Sequence, residues 1–125
     1  MSSSSSTDKK NSGAPSEQEL RLAANQYTSE LKAVASKIGE LENELNEHAL
    51  VIKTLSDVPT TRKCHRLING VLIERTVAEV LPALKTNEDG IQSTIKQLTS
   101  QYKAKEKLFI DFQQKHGIRI AQSPS

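Results

Sequence analysis

Apolar residues return at alternating steps of four and three along most of this chain. From Leu20 to Leu55 the steps never slip, with Ala24, Leu31, Ile38, Leu45 and Ile52 at one seam position and Tyr27, Val34, Leu41 and His48 among those at the other. His48 is the single polar intruder. This is a heptad seam, and it predicts a first helix over 17–56, of which residues 17–55 make a rod of about 58 Å at 1.5 Å per residue. Ser16 is a candidate N-cap with Glu17 and Glu19 in the first turn, and Ser56-Asp57-Val58-Pro59 marks the end. A second seam runs from Val77 through Leu81, Leu84, Glu88, Ile91 and on to Phe109 and Phe112. It predicts a helix over 77–116, opened by the capping box Thr76-Val77-Ala78-Glu79 and stopped at Gly117. Pro82 lies inside this pattern and is expected to kink the helix or split off a short piece ending near Leu81. Thr86 to Gly90 is poor in helix formers, and one strained turn is expected there.

Between the helices the period changes. Lys63 to Ile68 and Val71 to Thr76 are rich in branched residues and flank Asn69-Gly70. Asn-Gly suits a two-residue type I′ turn, in which both positions need positive φ. That turn pairs Ile68 with Val71, Leu67 with Leu72, Arg66 with Ile73 and His65 with Glu74. One face then carries Cys64, Arg66, Ile68, Val71, Ile73 and Arg75; the other carries His65, Leu67, Leu72 and Glu74. Neither is clearly the solvent side. A lone two-stranded hairpin is barely stable in water, and its edges offer unpaired main-chain groups. The hairpin, with Cys64, Arg66, Leu67, Ile68, Gly70, Val71, Leu72 and Ile73, is therefore expected to be the element through which chains assemble. The isolated chain is expected to self-associate or aggregate.

The expected fold is mainly α: an antiparallel two-helix coiled coil with one β-hairpin between the helices, covering 17–116. A narrow apolar stripe on each helix demands a partner helix. The register that best evens the layers sets Tyr27 beside Phe109, small Ala24 beside Phe112, and the two polar intruders His48 and Glu88 in one layer. A slip by one heptad, which strands His48 against Leu81, is the alternative. Residues 1–16 are Ser-rich and are expected to form a disordered tail. Residues 117–125 are expected to be a flexible C-terminal tail.

Composition narrows the function. The sequence has 125 residues, enough for one domain at most, with 35% hydrophobic and 3% aromatic content, which favours a thin molecule over a compact globule. Seventeen basic against fifteen acidic residues give a net charge of +2, without the basic excess of a nucleic-acid binder. The single cysteine, Cys64, allows no internal disulfide and suits a reducing compartment, and a cytoplasmic location is expected. No secretory signal and no membrane-spanning run is expected. Cys64-His65 is too small a cluster for zinc, and no cofactor is expected. Arg62, Lys63, His65 and Arg66 form a short basic run that more often pairs with acidic groups of a neighbouring chain than with nucleic acid. There is no phosphate-binding loop, no nucleophile with a base and no credible carboxylate pair, so an enzyme is not expected.

The stretch KCHRLINGVLIERTVAEVLPAL, Lys63 to Leu84, and the downstream IQSTIKQLTSQYKAKEKLFIDFQQKHGIRI resemble the β-type subunits of the prefoldin family. The likeness spans roughly residues 17–120 and is most specific in the hairpin. It implies a heterohexamer of α- and β-type subunits whose hairpins build a double β-barrel body from which coiled coils hang. It also implies an ATP-independent co-chaperone that holds non-native proteins, notably actin and tubulin, and passes them to the cytosolic ring chaperonin. The residues offer a site for this. Tyr27, Tyr102, Phe109 and Phe112 all lie toward the start of helix one or the end of helix two. Leu22, Leu108 and Ile110 lie there off the seam. These three, with Phe109 and Phe112, form the candidate client-binding tip, although Tyr27, Phe109 and Phe112 also suit the last seam layers. The competing reading is a structural coiled-coil subunit of another prefoldin-like assembly, with no client contact.

Overall fold

The structure, a computed structural model, describes residues 13–118. Most of the expected Ser-rich tail and the last seven residues of the chain lie outside the described residues. The elements are α1 (Glu17–Ser56), β1 (Lys63–Ile68), β2 (Val71–Thr76) and α2 (Val77–His116). They form two compact units: a terminal one built from residues 13–33 and 104–118, and a central one, Val34–Lys103.

Both helices begin where their caps place them. At α1, Ser16 Oγ accepts the Glu19 N–H at 3.1 Å while Glu19 Oε1 accepts the Ser16 N–H at 2.8 Å, a complete capping box. At α2, Glu79 Oε1 accepts the Thr76 N–H at 2.9 Å and the Thr76 hydroxyl at 3.3 Å. The next donors of α2 are taken by the preceding loop: Val77 N–H reaches the Arg62 carbonyl at 2.9 Å and Ala78 N–H the Thr60 carbonyl at 3.0 Å. The first-turn donors of a helix are otherwise orphans, so this loop is both connector and cap. At the far end, Ile118 N–H reaches the Gln113 carbonyl at 2.9 Å and Gly117 N–H the Gln114 carbonyl at 3.3 Å, with Gly117 at φ 62. This is a Schellman ending, which needs the left-handed conformation that glycine takes freely. Gly117 stands at the expected stop, and Ile118, expected in the flexible tail, is bonded into the same ending.

The helices are held by their seams. Every seam position from Leu20 to Leu55 and from Val77 to Phe112 is buried or half-buried, while the residues between them are mostly exposed. Among the described residues buried side chains are few: Ala24 and Phe109 in the terminal unit, Val77 and Val80 in the central one. Val77 has 0% exposure and Val80 6%, at the turn of α2 to which the loop is bonded. Val80 is off the seam, and heptad spacing alone did not mark it.

No short piece is split off at Leu81: α2 runs without interruption from Val77 to His116, through Pro82 and through the Thr86–Gly90 stretch. Pro82 removes one ladder bond, to the Ala78 carbonyl, but the turn before it is already fixed by Thr60, Arg62 and Glu79. At the second weak spot Leu84, Glu88 and Ile91 all keep their half-buried places on the stripe, and packing overrides propensity. The expected His48–Glu88 pairing is also absent. Both are half-buried, but His48 Nδ1 donates to the Glu44 carbonyl of its own helix at 3.0 Å.

Val77→Ala opens a cavity in a fully shielded site and lowers stability by about 2 kcal/mol, read by guanidinium unfolding followed by helical circular dichroism. The Thr76 main-chain N–H, then its hydroxyl, hold the Glu79 carboxyl below its ordinary range. Its contribution is therefore complete above the unfolded carboxylate pKa, about 4.3, and is lost as the pH falls through the lower folded value. Glu79→Ala should lower the thermal midpoint at neutral pH, and the gap to the native chain should close in strong acid.

Candidate subunit interface

The ribbon forms as its turn dictates. Lys63 to Ile68 pair antiparallel with Thr76 to Val71, in the register Ile68 to Val71, Leu67 to Leu72, Arg66 to Ile73, His65 to Glu74. Asn69 has φ 50 and Gly70 φ 82, the paired positive values of a type I′ turn. Hydrogen-bonded and non-bonded pairs alternate in such a ladder. The Val77 N–H to Arg62 carbonyl bond fixes the phase. The main-chain groups of Lys63, His65 and Leu67 then point out from one edge, and those of Leu72 and Glu74 from the other. The Thr76 N–H, next on that second edge, is taken by Glu79. Among the described residues no further strand pairs with either edge.

Both faces carry exposed aliphatic side chains. Leu67 and Leu72 are 71% and 66% exposed on one, and Ile68 and Val71 40% and 60% on the other. Cys64 and Ile73, nearer the helices on that second face, are half-buried; Arg66 is exposed. Exposed leucines and branched residues are thus gathered on two faces of one small ribbon. Glu74 receives Lys63 Nζ at 3.3 Å and lies 3.8 Å from His65 Nε2. Among the described residues no cluster of His, Cys, Asp and Glu could hold a metal ion, and no helix is long and apolar enough to cross a membrane.

The terminal unit holds the second candidate surface. Tyr27 lies between Phe109 and Phe112, with ring centroids 5.2 and 5.3 Å away, as the expected register has it. Phe112 also meets His116 at 5.0 Å. Lys105 occupies a seam position, and its Nζ donates to Glu30 Oε1 at 2.8 Å. That bond, followed by one from the Gln26 amide, holds the Glu30 carboxyl below its ordinary range. Off the seam, Leu22, Leu108 and Ile110 are 63%, 56% and 45% exposed. Phe109, included in the candidate client tip, is 7% exposed and stacked on Tyr27, and Phe112 is half-buried in the same cluster. Those two rings belong to the seam, which leaves Leu22, Leu108 and Ile110 as the open apolar groups of that set. The heptad reading also passed over Leu50 and Val51, which α1 exposes just off the seam.

The profile of the family Prefoldin_2, described as prefoldin subunit, matches residues 18–123. The chain belongs to the prefoldin family. Prefoldin subunit 2 of Bos taurus is 50% identical over 119 residues, covering 95% of this chain and 75% of that protein. Prefoldin subunit 2 of Homo sapiens is 51% identical over 108 residues, covering 86% and 70%. The likeness of Lys63 to Leu84 points within the prefoldins to the same subunit. Among solved structures, the prefoldin beta subunit from Thermococcus strain KS-1 superposes with a TM-score of 0.73 at 14% identity, over 86% of this chain and 96% of that one. At that identity the match speaks for the fold, two long helices with the two-stranded ribbon between them. As a prefoldin subunit, the chain is one component of a co-chaperone and assembles with other prefoldin subunits.

Phe109→Ala removes a shielded ring from the terminal unit and should cost that unit about 3–5 kcal/mol. Amide exchange should rise by orders of magnitude over residues 20–33 and 104–116 and far less in the ribbon.

Proposed function

We propose that this chain is a β-type subunit that joins its complex through the ribbon and holds non-native protein through the open apolar groups of its terminal unit, without ATP. The observation that carries the reading is the exposure of Leu22, Leu108 and Ile110 beside a seam that buries its own aromatics. Apolar groups left open in this way bind unfolded chains without reading their sequence. Several subunits acting together raise the effective affinity without any new contact. By family likeness the clients include non-native actin and tubulin, and the recipient is the cytosolic ring chaperonin.

The ribbon supports assembly for a separate reason. Its aliphatics are exposed on both faces, and beyond the Thr76 N–H its edges find no strand partner among the described residues. Neighbouring strands that pair with the edges and cover a face would satisfy both.

Replacing Leu22, Leu108 and Ile110 together by serine should leave the complex intact by mass. It should cut its suppression of aggregation of denatured actin several-fold. Unchanged suppression would move client contact elsewhere and favour a structural subunit without client binding. Ile68→Asp or Val71→Asp should abolish incorporation while helical circular dichroism is kept. Normal incorporation of either would remove the ribbon as the assembly element.

A further inference from the structure

The basic residues of the ribbon are not equivalent. Within residues 63–76 Glu74 is the sole carboxylate, against Lys63, Arg66 and Arg75. Glu74 sits on the Leu67–Leu72 face and is already engaged by Lys63 and His65 on that face. The opposite face carries Arg66 and Arg75 and no acid. Arg75 lies close enough to Glu79 for its charge to act on that carboxylate. The Arg66 side chain makes no ion pair or hydrogen bond with any described residue. It stands exposed on the face of Ile68 and Val71, directly across from Ile73.

A guanidinium bordered by exposed aliphatics is the composition of an interface anchor, and its planar fork matches a carboxylate in two parallel hydrogen bonds. Nucleic acid would need a run of free cations, and here Lys63 and His65 are drawn to Glu74. A second copy of this chain fits poorly. A two-fold contact of this face sets Arg66 and Arg75 against themselves, and such interfaces must be self-complementary. A head-to-tail contact finds in the ribbon only Glu74, whose charge is offset by Lys63 at 3.3 Å.

Resting on the assembly reading above, we infer that the strand-bearing subunit covering the Ile68–Val71 face presents a carboxylate to Arg66, and that this charge match excludes a second copy of this chain. Electrostatic complementarity of this kind selects partners as much as it adds affinity, because like charges brought together across an interface are costly. Self-association of the isolated chain is then unspecific and grows as salt screens the arginines.

The test uses the full chain co-expressed with the other prefoldin subunits, in competition with a tagged native copy. Arg66→Glu should enter the complex at least tenfold less often than native, with helical circular dichroism unchanged, and Arg66→Lys should fall between. Arg66→Glu alone in low salt should form a defined dimer that the native chain does not, because the face then carries both signs. Changing the ribbon carboxylates of the partner subunits to lysine should restore entry of Arg66→Glu. Val71→Asp separates this idea from the reading beneath it. If Val71→Asp is excluded while Arg66→Glu enters at the native level, assembly through the ribbon stands and the charge match is overturned. If Val71→Asp also enters normally, the ribbon is not the docking element and both fall.

Discussion

A strand that ends a sheet carries a row of main-chain donors and acceptors with no partner in that sheet. In this chain both strands are such strands. The alternation of the ladder turns Lys63, His65 and Leu67 outward on one side and Leu72 and Glu74 on the other. Water can serve those groups, but it cannot serve Leu67, Leu72, Ile68 and Val71, which stand exposed on the two faces between them. Longer sheets place such side chains against a second layer. Two strands of six residues have no layer to give. The incompleteness of this sheet is the constraint from which the rest follows.

The surrounding structure holds the ribbon in one geometry without finishing it. Asn69 and Gly70 set the register by their positive φ values. The loop before β1 bonds to the first turn of α2, and Glu79 takes the Thr76 donor. Val77 and Val80 are shielded at that junction. The ribbon is thus fixed at its base and open toward its turn. A pre-formed but unfilled surface loses little entropy on docking, which suits a subunit meant to join others. The terminal unit solves a different problem. Its aromatics close on one another around Tyr27, and the Glu30–Lys105 pair fills a seam layer that an aliphatic would otherwise occupy. With the rings turned inward, the apolar surface left open is supplied by shorter side chains beside the seam, Leu22, Leu108 and Ile110.

Most of this architecture is legible in the sequence, because each element carries a local signal that agrees with its packing. The Ser16 and Thr76 caps and the Gly117 stop bound the helices, the heptad steps name the shielded positions, and Asn69-Gly70 fixes the strand pairing. What escaped depends on contacts that spacing cannot encode. A split at Pro82 does not occur, and the bonds that hold the turn before it come from Thr60 and Arg62, in a loop with no periodicity. Val80 is shielded off the seam at that same turn. The polar layer of His48 and Glu88 was plausible from register, but a histidine can satisfy one ring nitrogen from its own helix, and His48 does so through Glu44. Phe109 and Phe112 suit the seam better than an open surface by spacing, and the rings do close on Tyr27. The basic run near β1 read as one cluster, whereas pairing across the strands sets Lys63 and His65 beside Glu74 and leaves Arg66 without an ion pair among the described residues.

The claim that other chains complete this sheet is tested most directly by amide hydrogen exchange at the outward positions, compared between the isolated chain in dilute solution and the assembled complex. The account predicts near-random-coil exchange at His65, Leu67, Leu72 and Glu74 in the isolated chain. In the complex the same amides should be slowed by several orders of magnitude, while the helix seams change little. Equal protection of those four amides in both states, with the isolated chain monomeric, would contradict it, because the ribbon would then be complete on its own.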